Sequence, residues 1–354
     1  MLSYRNKKLF VEGLSVQHIA ESVGTPVYIY SKKQLLLNFK AYRSAFRETS
    51  PLICYALKAN SNLSLLKLLA EQGSGADIVS GGELHRALKA GFPPNRIVFA
   101  GVGKTAEEIE FALRSEILSI HIESEQELFL IDRIAANTGC TARISIRINP
   151  NIDAKTHPYI STGLRKHKFG VPMAQALRLF TKAAGFKHIR IEGIHIHLGS
   201  QITGVNPFEE SVRKSLQLID QLAERGIPVN HLDIGGGLAV SHQDGQGPKE
   251  LATVIVPLLK GRNLHLILEP GRSIVATAGI LVTRVLYTKV NDRKHFTIVD
   301  AGMNDFIRPA LYDAFHEIRP VNQSGRKSIK QDVVGPVCES GDFFARERIL
   351  PEFM

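Results

Sequence analysis

Short runs of apolar residues, each bounded by turn-forming residues, recur along the chain between residues 53 and 268. A strand that is covered on both faces carries apolar side chains in succession, so such runs are typical of a buried parallel sheet. They predict eight strands: 53–56, 76–79, 97–99, 119–122, 143–148, 189–196, 229–234 and 264–268.

Stretches with helical spacing of apolar residues separate these runs, and several begin at Ser, Asn or Thr and end at Gly. Examples are residues 63–71, 82–90, 125–136, 209–225 and 248–259. Strands that alternate with helices are typical of α/β proteins, in which helices cover a parallel sheet. Eight successive units predict a (β/α)8 barrel of the TIM type and favour it over an open, doubly wound sheet.

The pattern changes after Gly279, where apolar runs follow one another without long helices between them. Residues 280–287, 296–299 and 329–334 are predicted strands of a second, β-rich domain. Residues 8–11, which precede a helical run at 16–23, are a candidate strand of the same domain. We therefore assign residues 27–275 to the barrel, and residues 1–26 and 276–354 to the β-rich domain.

Composition places the chain among globular proteins. Hydrophobic residues make up 44% of the 354 residues and charged residues 22%, which excludes disordered and fibrous classes. No apolar run approaches the roughly 18 residues of a membrane span, and the first ten residues lack the apolar segment of a signal peptide. Three cysteines without a CxxC pair suggest neither a disulfide framework nor a thiolate metal site. We expect a cytoplasmic protein without a membrane partner.

The net charge of +10 suits a phosphate-bearing cofactor, an acidic substrate or nucleic acid. The densest basic stretch, residues 165–168, is short and lacks the interleaved aromatic residues on which single-stranded nucleic acids stack. The chain also has no Trp and only 8 Tyr. We therefore expect no nucleic-acid partner.

Polar residues cluster where the predicted barrel strands end. Active sites of (β/α)8 barrels lie at the C-terminal ends of their strands. Six of the eight predicted strands bring a candidate to this end: Lys58; Asp77; Arg147 with Asn149; His197; Gly235, Gly236 and Gly237; and Glu269 with Gly271 and Arg272.

Lys58 and the three glycines each have a structural and a functional interpretation. A lysine at a strand end is most often a solvated cap, but removal from water after an apolar strand would favour the neutral amine that forms a Schiff base. The glycines could simply form a turn. After the seventh barrel strand they would also let backbone N–H groups approach a phosphate closely.

Glu269 follows an apolar strand and needs a positive partner. Arg272 is one candidate, and a protonated pyridine nitrogen is the other, since a carboxylate holds pyridoxal phosphate in its electron-withdrawing form. His195 and His197 share one face of the sixth strand, and such a pair can bind a metal. That pair supports a rival interpretation as a barrel metal hydrolase. In such hydrolases, however, the pair usually lies on the first strand.

Lysine, His-x-Gly-Ser, Gly-Gly-Gly and Glu-Pro-Gly-Arg, in this order, resemble the motifs of the fold-type III pyridoxal phosphate-dependent decarboxylases. Within that family the chain is most similar to enzymes that act on diaminopimelate. Residues 168–170, 303–312 and 335–342 support this closer match, and the resemblance runs from about residue 24 to residue 342.

The resemblance implies roles for named residues. Lys58 would hold pyridoxal 5'-phosphate covalently, His197 would stack on its ring, and Glu269 would pair with the ring nitrogen. The remaining cofactor-binding residues would be Asp77, Ser200, Gly235, Gly236, Gly237, Gly271 and Arg272. The substrate would meet Arg272, Arg308, Tyr312 and Glu339, and Cys338 would return a proton to the product.

The implied reaction is decarboxylation of meso-diaminopimelate to L-lysine and CO2 in lysine biosynthesis, by a homodimer with shared active sites. Guanidinium groups for a distal carboxylate and a carboxylate for its ammonium suit this substrate. Decarboxylation of ornithine, arginine or carboxynorspermidine, a metal hydrolase and an inert cofactor-binding protein remain alternatives.

The resemblance also sets an expectation about the end of the chain. Relatives continue beyond residue 342 with further strands and a Tyr-containing motif that contacts the cofactor, whereas this chain has no tyrosine after Tyr312. We expect a shortened β-rich domain with unpaired strand edges, which would weaken the fold and cofactor binding.

Overall fold

The protein is described here as a computed structural model that covers residues 1–154, 162–163, 167–240 and 246–353. Arg165 and Lys166 of the basic stretch lie outside the described residues. The chain divides into two compact units, one formed by Leu35–Thr277 and the other by Met1–Gln34 together with Ala278–Met354.

The described residues form strands and helices as follows. The strands are β1 (Leu2–Arg5), β2 (Lys8–Val11), β3 (Leu14–Ser15), β4 (Val27–Tyr30), β5 (Leu52–Ala56), β6 (Gly75–Ile78), β7 (Ile97–Phe99), β8 (Ser119–Ile122), β9 (Ala142–Asn149), β10 (Val171–Pro172), β11 (Ile189–Ile196), β12 (His231–Asp233), β13 (His265–Leu268), β14 (Gly279–Val282), β15 (Val285–Asn291), β16 (Lys294–Val299), β17 (Ser328–Val334) and β18 (Phe343–Pro351). The α-helices are α1 (Val16–Val23), α2 (Lys32–Ala45), α3 (Leu63–Glu71), α4 (Gly81–Ala90), α5 (Ala106–Arg114), α6 (Glu125–Thr138), α7 (Met173–Ala184), α8 (Asn206–Ala223), α9 (Pro248–Leu259), α10 (Arg272–Val275) and α11 (Arg308–Tyr312).

Eight parallel strands close into a barrel in the larger unit. Strands β5, β6, β7, β8, β9, β11, β12 and β13 pair in this order, and β13 pairs back to β5. A helix follows each strand, from α3 after β5 to α10 after β13. The predicted (β/α)8 barrel is confirmed, and only the seventh strand is clearly shorter than expected, since pairing covers His231–Asp233.

Side-chain caps fix where the barrel helices begin. Ser80 and Ser124 accept hydrogen bonds from backbone N–H groups of the first turns of α4 and α6, and Thr105 forms a capping box with Glu108 at α5. Each cap follows directly on a barrel strand or a short loop after it. The caps therefore fix the chain between each strand end and the helix that follows it, in the region where polar side chains lie close together.

Inside the barrel, a layer of polar side chains lies two residues before the polar residues at the C-terminal ends of the same strands. The Ser145 hydroxyl lies 2.9 Å from the Ser119 hydroxyl and 2.9 Å from His231 Nε2. Burial lowers the pKa of His231 to about 4, so this imidazole is neutral near neutral pH. A Cβ on Gly193 would lie 2.2 Å from the His231 ring. Glycine at this position therefore makes room for the imidazole.

The smaller unit is rich in β-structure, as expected. It holds an antiparallel β1-β2-β3 sheet, an antiparallel β4–β14 pair and a sheet in the order β15-β16-β17-β18, in which β16 and β17 run parallel. Val299, Val333, Ala345 and Leu350 form a buried core in the last sheet.

Three details of this unit differ from the sequence analysis. Residues 276 and 277, which we assigned to the β-rich domain, lie in the barrel unit. Residues 27–34, which we assigned to the barrel, lie in the smaller unit because β4 pairs with β14. The predicted strand 280–287 is divided into β14 and β15, because the Asp300 carboxylate accepts hydrogen bonds from the Thr283 hydroxyl and the Arg284 N–H at the break. Among the described residues, no helix combines the length and apolar character that crossing a bilayer requires.

We predict that Gly193→Ala lowers the free energy of unfolding by about 1 to 3 kcal/mol, the usual cost of overpacking a core. The added Cβ would also lie 2.6 Å from the His231 carbonyl oxygen, which the backbone cannot easily move. Urea denaturation followed by circular dichroism measures the change. Gly204→Ala is the matched control because no atom of the described residues lies within 4 Å of its added Cβ. Equal stabilities of the two variants would contradict the prediction.

Candidate active site

Lys58 and Asp77 form an ion pair at the C-terminal end of the barrel. Lys58 lies in a short 3-10 turn, Leu57–Ala59, directly after β5, and Asp77 lies in the neighbouring strand β6. The Lys58 ammonium contacts the Asp77 carboxylate oxygen Oδ2. The carboxylate is fully buried, whereas 43% of the Lys58 side-chain surface is exposed. The Lys58 ammonium therefore contacts a buried carboxylate, while part of the lysine side chain is exposed at the C-terminal end of the barrel.

The pair changes the acidity of both groups. Burial raises the pKa of Asp77 to about 7, the negative charge of Glu269 adds to this, and Lys58 partly opposes it. Desolvation acts to lower the pKa of Lys58, but the carboxylates of Asp77 and Glu269 outweigh it and hold that pKa above its ordinary value. With Asp77 in place, the Lys58 amine is charged, contrary to the neutral amine that desolvation alone would favour.

Glu269 lies at the end of β13 and faces two imidazoles rather than solvent. His195 Nε2 lies 3.2 Å from Glu269 Oε2, and His121 Nδ1 lies 3.7 Å from Glu269 Oε1. The two imidazole rings stack with centroids 4.2 Å apart. Glu269 Oε1 has no hydrogen-bond partner among the described residues. This carboxylate thus has one oxygen supported from the barrel interior and one that lacks a donor.

Asp233 completes a buried group that we call the inner cluster: His121, His195, Asp233 and Glu269. Asp233 Oδ2 lies 3.8 Å from His121 Nε2, and Oδ1 accepts a hydrogen bond of 2.8 Å from the Gly235 N–H. One potential ligand atom from each of the four side chains lies within 4.8 Å of the others. This arrangement can share protons, and its ligand types are also those that divalent transition metals accept.

Burial shifts the acidity of the whole inner cluster toward neutral forms. It raises the pKa values of Asp233 and Glu269, and the charge of Glu269 raises that of Asp233 further. It lowers the pKa values of His121 and His195 well below their ordinary range, with neighbouring positive charges adding to the effect. Both imidazoles are therefore neutral near neutral pH.

His197 lies apart from the inner cluster, although it is only two residues from His195. Its Nδ1 accepts a hydrogen bond of 3.2 Å from the Gly236 N–H, which fixes the ring beside the glycine segment. Burial lowers the pKa of His197 well below its ordinary value. Among the described residues, the four side chains that could ligate a metal together include His195 but not His197. The His-x-His pair therefore does not act as one metal-binding unit in this structure.

The segment Gly235-Gly236-Gly237 is tightly packed against neighbouring loops. A Cβ on Gly236 would lie 2.1 Å from the Glu269 carbonyl oxygen, and one on Gly237 would lie 2.2 Å from the Gly199 carbonyl oxygen. Gly237 also has a φ of 106°, in the region that favours glycine. Close backbone approach after β11, β12 and β13 thus requires these glycines. Their role in phosphate binding is a separate prediction.

Other predicted phosphate-binding residues meet beside this segment. The Arg272 guanidinium Nε donates a hydrogen bond of 3.3 Å to the Ser200 hydroxyl. Gly271 precedes Arg272 and packs closely against the end of β5 and the turn after it. A Cβ on Gly271 would lie 3.0 Å from the Cβ atoms of Ala56 and Ala59. The structure therefore brings the loop after β11 and the start of α10 together.

Sequence reasoning found Arg147 but missed its partner Glu123 and the buried pair of Lys104 and Glu127. Arg147, at the end of β9, forms a buried ion pair of 2.6 Å with Glu123, whose other oxygen accepts a 2.7 Å hydrogen bond from the Gly170 N–H. Lys104 has a fully buried side chain, pairs with Glu127 at 2.8 Å and donates to the His121 carbonyl oxygen. Glu123 could have been found from the sequence, because it is a charged residue directly after the apolar fourth barrel strand.

The candidate substrate residues of the smaller unit fall into two places. Arg308 and Tyr312 lie in α11, where the guanidinium carbon is 5.4 Å from the tyrosine ring centroid. Cys338 is exposed and precedes Glu339 in a turn. The Asp342 carboxylate closes this turn by accepting a hydrogen bond of 2.7 Å from the Val337 N–H. Each pair is thus held by local structure.

Comparisons with known proteins agree with this geometry. The family model of the pyridoxal-dependent decarboxylase, pyridoxal binding domain, matches residues 32–276. The chain is 49% identical to diaminopimelate decarboxylase of Aquifex aeolicus over 99% of its length and 84% of that protein's. It superimposes on a crystal structure of diaminopimelate decarboxylase from Helicobacter pylori complexed with L-lysine, with a TM-score of 0.92 and 50% identity, over 95% of this chain and 85% of that one.

More distant structures share the fold. Diaminopimelate decarboxylase from M. jannaschii is 38% identical with a TM-score of 0.94, over all of this chain and 85% of that one. A lysine/ornithine decarboxylase from Vibrio vulnificus, complexed with cadaverine, is 24% identical with a TM-score of 0.84, over 96% of this chain and 86% of that one, and shows the fold alone. From the family match and the near full-length identity, the chain belongs to the diaminopimelate decarboxylase family of pyridoxal-dependent decarboxylases.

Proposed function

We propose that the protein removes CO2 from meso-diaminopimelate to give L-lysine, with pyridoxal 5'-phosphate as its cofactor. The observation that carries the proposal is identity near 50% over almost the whole chain to proteins named diaminopimelate decarboxylase, one of which was crystallised with L-lysine. L-lysine is what remains when meso-diaminopimelate loses one carboxylate as CO2. The reaction is a step of lysine biosynthesis.

The residues at the barrel mouth fit this cofactor. Glu269 Oε1 is buried and lacks a partner among the described residues, so it suits a donor such as the protonated ring nitrogen. Ser200, Arg272 and the packed glycine segment offer hydroxyl, guanidinium and backbone donors of the kind that hold a phosphate. Lys58 supplies the amine for covalent attachment. Asp77, Gly271 and His197 would complete the cofactor-binding set.

The chain's own residues divide the chemical work. When bound, pyridoxal phosphate supplies an electron-withdrawing ring that stabilises the electron pair left by the departing CO2. Glu269 keeps the ring nitrogen protonated. Asp77 Oδ2 contacts Lys58 Nζ and would position the amine that attaches the cofactor.

The resemblance assigns substrate recognition to four residues. Arg272, Arg308 and Tyr312 would bind the distal carboxylate, and Glu339 would bind the distal ammonium. Cys338 would donate the proton that replaces CO2. A decarboxylase of ornithine, arginine or carboxynorspermidine would not need two guanidinium groups for a second carboxylate. The homodimer with shared active sites and the cytoplasmic location stay predictions.

We predict that borohydride reduction of the cofactor-loaded protein attaches a pyridoxyl group to Lys58. Reduction makes the bond between a lysine amine and the cofactor permanent, and peptide mapping by mass spectrometry then locates it. The Lys58→Arg variant keeps the positive charge beside Asp77 and should carry no label.

Lys104 provides a stringent comparison, because it is a second lysine near the C-terminal ends of the strands and its side chain is fully buried in contact with Glu127. A pyridoxyl group on Lys104, or on any lysine other than Lys58, would show that the assignment is wrong.

We further predict that Arg308→Ala lowers kcat/KM for meso-diaminopimelate about 30- to 150-fold, because a lost charge-assisted pair costs about 2 to 3 kcal/mol. Arg319→Ala is the matched control, since this arginine of the same unit pairs with exposed Glu317 and should lose little activity. Steady-state kinetics with detection of L-lysine measure both variants. Equal losses in the two variants would show that Arg308 has no specific part in substrate recognition.

A further inference from the structure

Two side chains of the inner cluster, His121 and Asp233, have no part in the mechanism above. Both are fully buried, and neither imidazole nitrogen of His121 has a hydrogen-bond partner among the described residues. Asp233 forms a side-chain hydrogen bond with Glu269, which requires a proton on one of the two acids. Buried polar atoms without partners are costly, so their presence behind the proposed cofactor-binding carboxylate needs an explanation.

The geometry gives these atoms a consistent order. Asp233 Oδ2 faces His121 Nε2 at 3.8 Å, and His121 Nδ1 faces Glu269 Oε1 at 3.7 Å. His195 Nε2 faces the other oxygen of Glu269 at 3.2 Å. A proton on Asp233 would be donated to Glu269 in the hydrogen bond between these two side chains, and a ring proton on His121 Nδ1 would be directed to the same carboxylate. Every donor in the series then points toward Glu269.

The charges around Glu269 also distinguish the two acids. Besides the cluster itself, the ionisable groups that act on Glu269 from other elements are Lys58, Asp77, Glu123 and Arg147. Lys58 and Arg147 favour the ionised form of Glu269. Asp233 has no cation among its main influences and is opposed by Glu269 and Asp77. Of the two coupled acids, Asp233 is therefore the one that keeps a proton.

We propose that Asp233 is a protonated, neutral acid and that Asp233, His121 and His195 are positioning residues, whose aligned donors keep the Glu269 carboxylate ionised and directed at the cofactor ring nitrogen. This proposal rests on the proposed role of Glu269. The positioning residues touch neither cofactor nor substrate in it. They act by setting the protonation and orientation of one carboxylate.

Isotope-edited infrared spectroscopy of the cofactor-free protein tests the location of the proton. At about pH 8, above the pKa of about 7 of Asp77, a carbonyl-stretch band of a protonated carboxylic acid is expected. The band should shift when aspartate carboxyl groups carry 13C and should not shift with 13C-labelled glutamate. It should disappear in Asp233→Asn and persist in the matched variant Asp77→Asn. Circular dichroism and thermal melting establish that both variants are folded.

Three results would overturn the proposal. The band could follow glutamate labelling, which would place the proton on Glu269. It could be absent from the folded wild-type protein, which would leave both acids ionised. Elemental analysis could find one tightly bound divalent metal ion per chain, which would make the inner cluster a metal site.

The positioning role has its own test in His121. His121→Phe keeps a ring but removes both nitrogens, so Glu269 should take up a proton and a glutamate-type acid band should appear, while the cofactor dissociation constant rises about tenfold or more. His121→Asn, whose amide can donate from near the place of Nδ1, should restore ionised Glu269. His231→Phe, one layer away, is the control that perturbs packing alone.

If His121→Phe and His231→Phe weaken cofactor binding equally and neither changes the glutamate band, His121 is only structural and the proposal is wrong. The infrared results do not depend on turnover. An inactive protein with the expected bands would contradict the proposed decarboxylation and leave the protonation of Asp233 established.

Discussion

The cost of burying negative charge governs the interior of this barrel. Asp77, Asp233 and Glu269 are all buried at the strand ends, where ionised carboxylates lose the solvation that water provides. Lys58 offsets this cost for Asp77 by direct contact. The other two acids depend on neutral imidazoles and on one another. Charge balance at the barrel mouth is thus a property of several strands together and cannot be assigned to a single ion pair.

Small residues make this concentration of polar groups sterically possible. Gly193 leaves room for the His231 ring in the layer below, and Gly236 lets its backbone pass close to the Glu269 carbonyl oxygen. A larger side chain at either position would separate strands that must pair. Gly236, in the segment that we propose to bind phosphate, therefore also sets the distance between the ends of β12 and β13.

Much of the fold could be predicted because most barrel strands are rich in apolar residues and have turn residues around them. Lys58, His197 and Glu269 were found because they directly follow apolar runs. Asp233 and His121 were missed because they lie inside predicted strands, where a polar residue resembles an interruption of the apolar pattern. Their environment depends on which strands become neighbours after the barrel closes, and β12 and β8 are far apart in sequence.

The parallel pairing of β16 with β17 has a consequence for how recognition can vary. Two antiparallel neighbouring strands can be joined by a turn of two residues. Two parallel neighbouring strands need a long crossover, because the chain must return to the end of the sheet at which the first strand began. Residues 300–327 make this return and include α11 with Arg308 and Tyr312. The sheet requires a connection of this kind whatever its side chains are. Substitutions within this crossover can therefore change the residues that we propose to contact the substrate, while the strand register that supports the crossover stays unchanged.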